Sequence, residues 1–387
     1  MPHTRTKCRW AATVVGVSAL LLATACGGRE AADSATPAPE ATAAEPTSSE
    51  PVDAPPSRAV IVEPDTTVIA VADGQAHPLE DTSATPGQKV LWSRDGSLMT
   101  VNTGEDFWEW TGPESDGALI HECGTSCQGV YLADDPDQLY SFHDNEIQHL
   151  PADTSATTEP VTIADPEAHG GRVWGGVDGK ILVGDEGPET RADAVDLWLI
   201  DPATGTTAAT GDLPTGLGLW TQRTALSADG TQLAVEYEGD SPDGCPVSDS
   251  IATVDTTALT ATETPALPAA SHGGGVATWD LFFNGGNLYA VFAELYDGCA
   301  EVAPMGLWRL NNESWTQVSE GDFYSVRPLE ALDGMGSASA LVVDADFTCR
   351  VVDLPDGALR TDLGECEPEV WSTPTWNEID LSGIEGL

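Results

Sequence analysis

From Arg58 to Leu387, short apolar runs alternate with turn-forming residues. The runs are rich in Val, Ile, Leu, Thr and Trp, and Asp-Gly, Asn-Gly or proline separates them. Apolar residues do not recur at the sustained 3.6-residue spacing that an amphipathic helix requires. An Asp-Gly or Asn-Gly pair between apolar runs is a strong signal for a β-hairpin. The pattern therefore predicts an all-β domain over residues 58–387.

One unit repeats along this domain: a short strand, a turn, and a second apolar strand. The turns lie at Asp95-Gly96, Asp178-Gly179, Asp229-Gly230 and Asn284-Gly285, with weaker copies near Asp134 and Asp333. A third strand follows in most units, and the second strands recur about every 40 to 55 residues. Four short strands per unit at this period are typical of a β-propeller.

The two ends of the domain supply one further unit beyond the six visible repeats. Val370–Trp376 reads as a first strand with no successor, whereas Ala59–Val62 and Thr67–Val71 read as later strands with no first strand. Pairing the C-terminal strand with the N-terminal strands in one sheet would remove the two exposed sheet edges of an open ring. We therefore predict seven four-stranded blades, closed by N- and C-terminal strands in one blade. The alternatives are six blades with a stray terminal sheet, and two β-sandwich domains.

The repeat also resembles the blades of the TolB-like and WD40-like propellers of bacteria. Those blades carry a Ser-x-Asp-Gly-x-x-Leu turn, which Ser227 to Leu233 matches, followed by a strand with an acid at each end, as in Asp196–Asp201. The resemblance implies the fold and gives no activity, because one fold hosts many functions.

The N-terminus has the plan of a bacterial export signal over residues 1–25. A basic head precedes the apolar run Trp10–Ala25, which is shorter than the roughly 20 residues of a membrane-spanning helix. Cys26 follows Ala23-Thr24-Ala25 directly, which resembles the lipobox of bacterial lipoproteins, although Leu22 lies one residue earlier than usual. The resemblance implies that Cys26 is lipidated. The alternative is an ordinary cleaved signal with an incidental cysteine.

Residues 26–57 are mostly Ala, Pro, Glu, Ser and Thr. Such a segment buries too little apolar surface to offset its ordering entropy, so it predicts a disordered tether behind the lipidated cysteine. The expected location is the outer face of the cytoplasmic membrane, with the propeller held in the cell envelope.

The chain is strongly acidic, with 63 Asp and Glu against 15 Lys and Arg and a formal net charge of −48. This charge repels phosphates and argues against nucleic-acid binding. It would attract cations, basic peptides or polyamines. The alternative is a surface adapted for solubility. The composition, rich in Ala, Gly and Thr and poor in Lys, is of the type found in exported actinobacterial proteins.

Six cysteines remain once Cys8 and Cys26 are assigned to the signal and the anchor. An even number in an exported domain favours disulfides. Cys245 and Cys299 both follow an Asp-Gly pair after a second strand, so they occupy matching loops of neighbouring blades. The predicted pairs are Cys123–Cys127, Cys245–Cys299 and Cys349–Cys366, although six cysteines allow 15 connectivities.

Two histidines and several acids are predicted to share one rim of the propeller. His169 and His272 precede first strands, and the acids lie in loops between second and third strands. Glu294 and Glu301 are counted among these loop acids without being selected as candidates. The candidate ligand or cation residues are His169, His272, Asp185, Glu189, Asp193, Asp240, Asp243 and Asp297. Clustered oxygens suit calcium, and histidines with carboxylates suit zinc or manganese. No cofactor is otherwise predicted. The alternative is histidines that only hold loops and acids that are solvated.

No recognised catalytic motif is present: the chain lacks a G-x-S-x-G elbow, H-E-x-x-H, a Walker loop and a Rossmann glycine run. We therefore expect a binding or scaffold module for an unknown protein, peptide or cell-wall ligand, acting through an acidic top face. The alternative is a propeller hydrolase or lyase on a cell-wall or extracellular substrate, either with or without a bound cation. A third hypothesis is a structural envelope protein.

Overall fold

The computed structural model describes the chain in segments, all of them within one unit, Pro51–Leu387. The described residues are 59–62, 68–72, 75–78, 89–92, 99–102, 106–110, 118–122, 128–132, 138–150, 158–184, 197–214, 220–240, 245–330, 338–354, 356–366, 370–372, 375 and 377–384. The predicted signal peptide, Cys26 and the tether lie outside them.

The described residues form seven four-stranded antiparallel sheets. Sheet 1 contains β1 (Ala59–Val62), β2 (Val68–Ala72), β3 (Gln75–Pro78) and the last strand, β28 (Val370–Ser372). Sheet 2 contains β4 (Lys89–Trp92), β5 (Met99–Asn102), β6 (Asp106–Trp110) and β7 (Ala118–Glu122). Sheet 3 contains β8 (Gln128–Tyr131), β9 (Leu139–His143), β10 (Glu146–Leu150) and β11 (Val161–Thr162). Sheet 4 contains β12 (Arg172–Val177), β13 (Lys180–Gly184), β14 (Leu197–Ile200) and β15 (Thr207–Gly211).

The remaining three sheets follow in chain order and hold the longest strands. Sheet 5 contains β16 (Trp220–Leu226), β17 (Gln232–Asp240), β18 (Pro246–Asp255) and β19 (Thr260–Glu263). Sheet 6 contains β20 (Gly275–Asn284), β21 (Asn287–Tyr296), β22 (Glu301–Leu310) and β23 (Trp315–Ser319). Sheet 7 contains β24 (Phe323–Leu329), β25 (Ser339–Asp344), β26 (Thr348–Asp353) and β27 (Leu359–Glu365). Two short 3₁₀ turns lie at Pro166–Ala168 and Ser382–Ile384.

The first strands of the sheets close into a ring. β4, β8, β12, β16, β20 and β24 contact one another in succession, and β28 contacts both β24 and β4. Within sheet 1, β28 pairs with β1, so that Trp371 lies opposite Val60. Strands from the two ends of the domain therefore share one sheet, and the all-β propeller prediction is confirmed. Seven as the number of blades in the full chain stays a prediction, which the seven described sheets fit.

Two described Asp-Gly turns show how this pair stabilises a hairpin. At the β12–β13 turn, Asp178 and Gly179 have φ angles of 46° and 69°, which is the left-handed pair of a type I′ turn. At the β16–β17 turn, the Asp229 carboxylate accepts hydrogen bonds from Ser227 Oγ (2.7 Å) and Thr231 N (3.0 Å). At these two turns, the dipeptides that mark the repeat in the sequence set the hairpin geometry.

The core lies between neighbouring sheets. Phe292 of sheet 6 is fully buried and packs with Ile251 of sheet 5 in one cluster. Trp198 of sheet 4 packs with Phe142 of sheet 3 in another. Each sheet thus buries side chains against its neighbours, as face-to-face packing of blades requires.

A buried ion pair joins the first strands of sheets 6 and 7. The Asp280 carboxylate accepts hydrogen bonds from Ser325 Oγ (2.6 Å) and Val326 N (3.2 Å). Arg327 Nη2 lies 2.6 Å from the other carboxylate oxygen, and its guanidinium lies over the Phe282 ring at 5.3 Å. Because the carboxylate and the guanidinium are both mostly buried, each depends on the other for its charge balance.

The chain after β28 departs from the predicted first strand Val370–Trp376. The strand ends at Ser372, and Thr375 forms an isolated bridge with Asn284 instead. Asn284 is fully buried; its Nδ2 donates to Ile379 O (2.8 Å), and its Oδ1 accepts from Ile379 N (2.9 Å). A Cβ on Gly285 would lie 2.1 Å from Glu378 N, so glycine is required where this C-terminal segment crosses the β20–β21 turn.

Candidate functional site

The register of the sheets brings the two kinds of predicted site loop to the same end. In sheet 6, Gly275 at the start of β20 lies opposite Leu295 near the end of β21, and in sheet 4 Arg172 lies opposite Gly184. We call the end where first strands begin and second strands end the upper end, and the opposite end the lower end. Residues before first strands and after second strands therefore meet at the upper end.

A buried carboxylate, Glu294 of β21, organises the loop that carries His272. Its side chain is 1% exposed. One oxygen accepts from His272 N (2.7 Å) and Gly274 N (3.0 Å), and the other accepts from Ser271 N (2.8 Å), Ser271 Oγ (3.1 Å) and His272 Nδ1 (3.0 Å). A single buried acid thus satisfies three backbone donors that would otherwise be unpaired in the turn.

These hydrogen bonds keep Glu294 ionised. Burial raises the pKa of Glu294, but the hydrogen bonds from Gly274, His272 and Ser271 outweigh burial and lower the pKa to about 2. Hydrogen bonds to the charged form favour that form. Glu294 therefore carries a negative charge at neutral pH inside the protein.

The imidazole of His272 is held in one orientation while half of its surface stays in solvent. Its side chain is 52% exposed, and its ring stacks on Tyr296 with centroids 4.8 Å apart and planes 15° apart. Since an ionised carboxylate can only accept hydrogen bonds, Nδ1 must donate to Glu294, which leaves the Nε2 lone pair available in the neutral ring. None of the described residues supplies a partner for Nε2.

A disulfide fixes the hairpins on either side of this cluster. Cys245 precedes β18 and Cys299 lies between β21 and β22; the structure contains the predicted bond between them, with Cα atoms 5.5 Å apart. Asp297 and Cys299 both have left-handed backbone angles, with φ of 50° and 67°. The disulfide therefore links the upper ends of sheets 5 and 6 and holds a turn that non-glycine residues adopt reluctantly.

A second buried carboxylate links sheets 5 and 6 nearby. Glu236 of β17 accepts a hydrogen bond from Ser248 Oγ, which also lies 2.7 Å from Thr278 Oγ1 in β20. Arg223 Nη1 lies 3.5 Å from Glu236. Burial raises the pKa of Glu236, and the charge of Arg223 and the Ser248 hydrogen bond oppose this effect. This network connects two blades and points to a structural role.

The structure places the predicted rim residues in different surroundings. His169 hydrogen-bonds the carbonyl of Ile163 through Nε2 (3.1 Å), so it holds its own loop. His272 joins Glu294, and Asp297 is exposed in the adjoining turn. Asp240 is the last residue of β17. The predicted residues outside the described part of the chain are Asp185, Glu189, Asp193, Asp243, Cys123 and Cys127.

Sequence reasoning underestimated Glu294, which it placed among the loop acids without selecting it. One signal was available: Glu294 directly continues the apolar run Leu288–Ala293, so it lies within the strand rather than in the loop. An acid inside a buried strand needs dedicated donors. The predicted Cys349–Cys366 disulfide is present, with both sulfurs in the core of sheet 7.

The described residues contain neither a cluster of metal ligands nor a membrane-spanning helix. Among these residues, no group of three or more His, Cys, Asp or Glu side chains is placed to hold a metal ion. Within the same part of the chain, no helix has the length and apolar character to cross a membrane. The calcium prediction, which involves residues outside this part, stays a prediction.

Comparison with known proteins gives similarity at the level of solved structures alone. No protein-family model matches the chain, and no curated protein matches it. The dihydro-heme d1 dehydrogenase NirN, in complex with DHE, is 12% identical with a TM-score of 0.47, covering 81% of this chain and 74% of its own.

Two further structures have comparable scores. Apo AztD from Citrobacter koseri is 14% identical with a TM-score of 0.44, covering 81% of this chain and 83% of its own. A putative 6-phosphogluconolactonase from Bacteroides uniformis is 12% identical with a TM-score of 0.45, covering 82% and 99%. At these identities and TM-scores the likeness carries no argument about what this protein does.

Proposed function

We propose that this protein is an exported, lipid-anchored envelope protein whose propeller acts as a binding or scaffold module through the acidic upper end of its sheets. The observation that carries the proposal is that Glu294 and the Cys245–Cys299 disulfide hold the exposed loops at the upper end. Both fix the shape of exposed loops at the upper ends of sheets 5 and 6. A surface with fixed loops loses less conformational entropy when it binds, which favours recognition.

The charge of the protein defines the class of partner. With a net charge of −48, the protein attracts cationic ligands and associates with them faster at low ionic strength. On the upper end of sheet 6, Asp297 and Glu301 are exposed. A basic protein, a basic peptide or an amine-bearing cell-wall component fits this surface.

Export and anchoring are supported by the cysteines. Disulfides persist in oxidising compartments, and two link strands or hairpins of the propeller. Cys26 follows the apolar N-terminal run, where a lipid anchor would be added.

The anchor is tested by Cys26→Ser in cells fed a palmitate analogue. We expect the label and membrane fractionation to be lost, while Cys8→Ser, a cysteine change inside the signal itself, leaves both intact. Continued labelling of the Cys26→Ser protein would contradict lipid anchoring at this position.

The binding role is tested by calorimetry on the mature protein with a basic and an acidic peptide of equal length. We expect the basic peptide alone to bind, with an affinity that falls as salt rises. The double change Asp297→Asn and Glu301→Gln should weaken binding, whereas Glu313→Gln, an exposed acid in the β22–β23 turn at the lower end of sheet 6, should not. Equal binding of both peptides would contradict an acidic recognition surface.

A further inference from the structure

Three side chains at the upper end of sheet 6 lie next to one another in a way that the sequence does not reveal. Tyr296 ends β21 and lies directly opposite Glu301, the first residue of β22. Directly opposite residues of an antiparallel pair project to the same face of the sheet. His272 stacks on Tyr296, so an imidazole, a phenol ring and an exposed carboxylate adjoin one another.

The imidazole in this group is preorganised. Glu294 accepts hydrogen bonds from Nδ1 and from three backbone amides of the same loop, and the Tyr296 ring stacks on the imidazole plane. A carboxylate that accepts a hydrogen bond from one ring nitrogen of a histidine fixes the tautomer and the orientation of the ring. Nε2 is thus an oriented hydrogen-bond acceptor at a half-exposed position.

The chemistry of the three groups selects a cation that can donate hydrogen bonds. An imidazole lone pair accepts an N–H bond, the face of an aromatic ring attracts a cation, and a carboxylate pairs with positive charge. The net charge of −48 and the ionised Glu294 behind the ring both disfavour an anion. A metal ion is disfavoured because, in the described part of the chain, no three ligating side chains converge.

We propose that His272, Tyr296 and Glu301 form a binding site for an alkylammonium group, as carried by a lysine side chain or a polyamine. In this site, the ammonium donates to His272 Nε2, lies against the Tyr296 ring and pairs with the Glu301 carboxylate. The inference rests on the proposed function, since it names the ligand class of that acidic surface.

The experiment uses the mature, disulfide-bonded protein and two probes, spermidine and a penta-lysine peptide, in calorimetric titrations at low salt. His272→Asn retains a donor in place of Nδ1 and removes Nε2. Tyr296→Leu retains apolar bulk and removes the ring, and Glu301→Gln removes the charge. Each change should weaken binding about five- to ten-fold, as expected for the loss of one charge-assisted or cation–π contact. Glu313→Gln is the matched control and should leave binding unchanged.

The outcomes separate this site from the broader proposal. If both probes bind but His272→Asn and Glu301→Gln bind as tightly as the parent, the acidic surface stands and this site is wrong. If neither probe binds at low salt, the proposed function itself fails. Binding of spermidine alone or penta-lysine alone identifies the source of the ammonium group. If zinc binds through His272 and displaces bound spermidine or penta-lysine, a metal site replaces the amine site. Thermal unfolding of each variant, unchanged within a few degrees, shows that the fold is intact.

Discussion

Replacing Glu294 by glutamine tests whether one buried carboxylate organises the upper end of sheet 6. Glutamine keeps the size and one acceptor oxygen but removes the charge. It also turns an NH2 group toward donors from Ser271, His272 and Gly274, which now need an acceptor. We expect the variant to fold, to be less stable and to lose the fixed orientation of His272.

The magnitude follows from the pKa of Glu294. The folded pKa is about 2, against an ordinary value of 4.5. At about 1.4 kcal/mol for each pH unit, the difference corresponds to about 3 kcal/mol of stability at neutral pH. Because the folded pKa is depressed, this stability is fully present above pH 4.5 and is lost as the pH falls toward 2. Linkage gives about 2 kcal/mol remaining at pH 3.5.

The assay is urea unfolding of the parent and Glu294→Gln proteins at several pH values between 7 and 3. Other carboxylates titrate in both proteins, so the informative quantity is the difference between their free energies of unfolding. We expect this difference to be largest at pH 7 and to shrink by about 1 kcal/mol by pH 3.5. Glu301→Gln, which removes an exposed carboxylate from the facing strand, should leave the free energy of unfolding nearly unchanged.

A difference that stays constant from pH 7 to pH 3 would refute the reasoning. It would mean that Glu294 is protonated in the folded protein, or that its hydrogen bonds form equally well without charge. An imidazole whose chemical shifts are unchanged in the Glu294→Gln variant would likewise show that the carboxylate does not orient His272.

Three further predictions concern how the blades are joined. Changing Cys245 and Cys299 together to serine should lower the free energy of unfolding by about 4 kcal/mol in the chain-entropy model, since the bond closes a 54-residue separation; urea unfolding without reductant measures this, and an unchanged midpoint would contradict it. Asp280→Asn should lower the free energy of unfolding by about 3 to 5 kcal/mol, because it leaves Arg327 with an uncompensated buried charge. Replacing both residues by apolar ones should recover much of this stability in urea unfolding. A double variant less stable than Asp280→Asn would argue against the ion pair. Asn284→Ala should raise amide hydrogen exchange across residues 377–384, because it removes the bonds that hold the C-terminal segment, while slow exchange there would show that apolar packing alone suffices.

The sequence by itself determined the fold class and its closure. Asp-Gly and Asn-Gly pairs favour tight turns, and they recur about every 40 to 55 residues between apolar strands. Local turn chemistry, such as the left-handed pair Asp178-Gly179, therefore marks the hairpins in the sequence. The matching Asp-Gly-Cys loops predicted the Cys245–Cys299 bond, because equivalent positions in repeated units lie at the same end of neighbouring sheets.

The tertiary structure alone decided which polar groups work together. Sequence treated Glu294 as one loop acid among many, whereas the fold buries it beneath the Ser271–Gly274 turn. The sequence likewise predicted one strand from Val370 to Trp376. In the structure this strand ends at Ser372, and the later residue Ile379 is held by the side chain of Asn284. Burial and hydrogen-bond partners depend on residues far apart in the chain, and a local pattern carries no record of them.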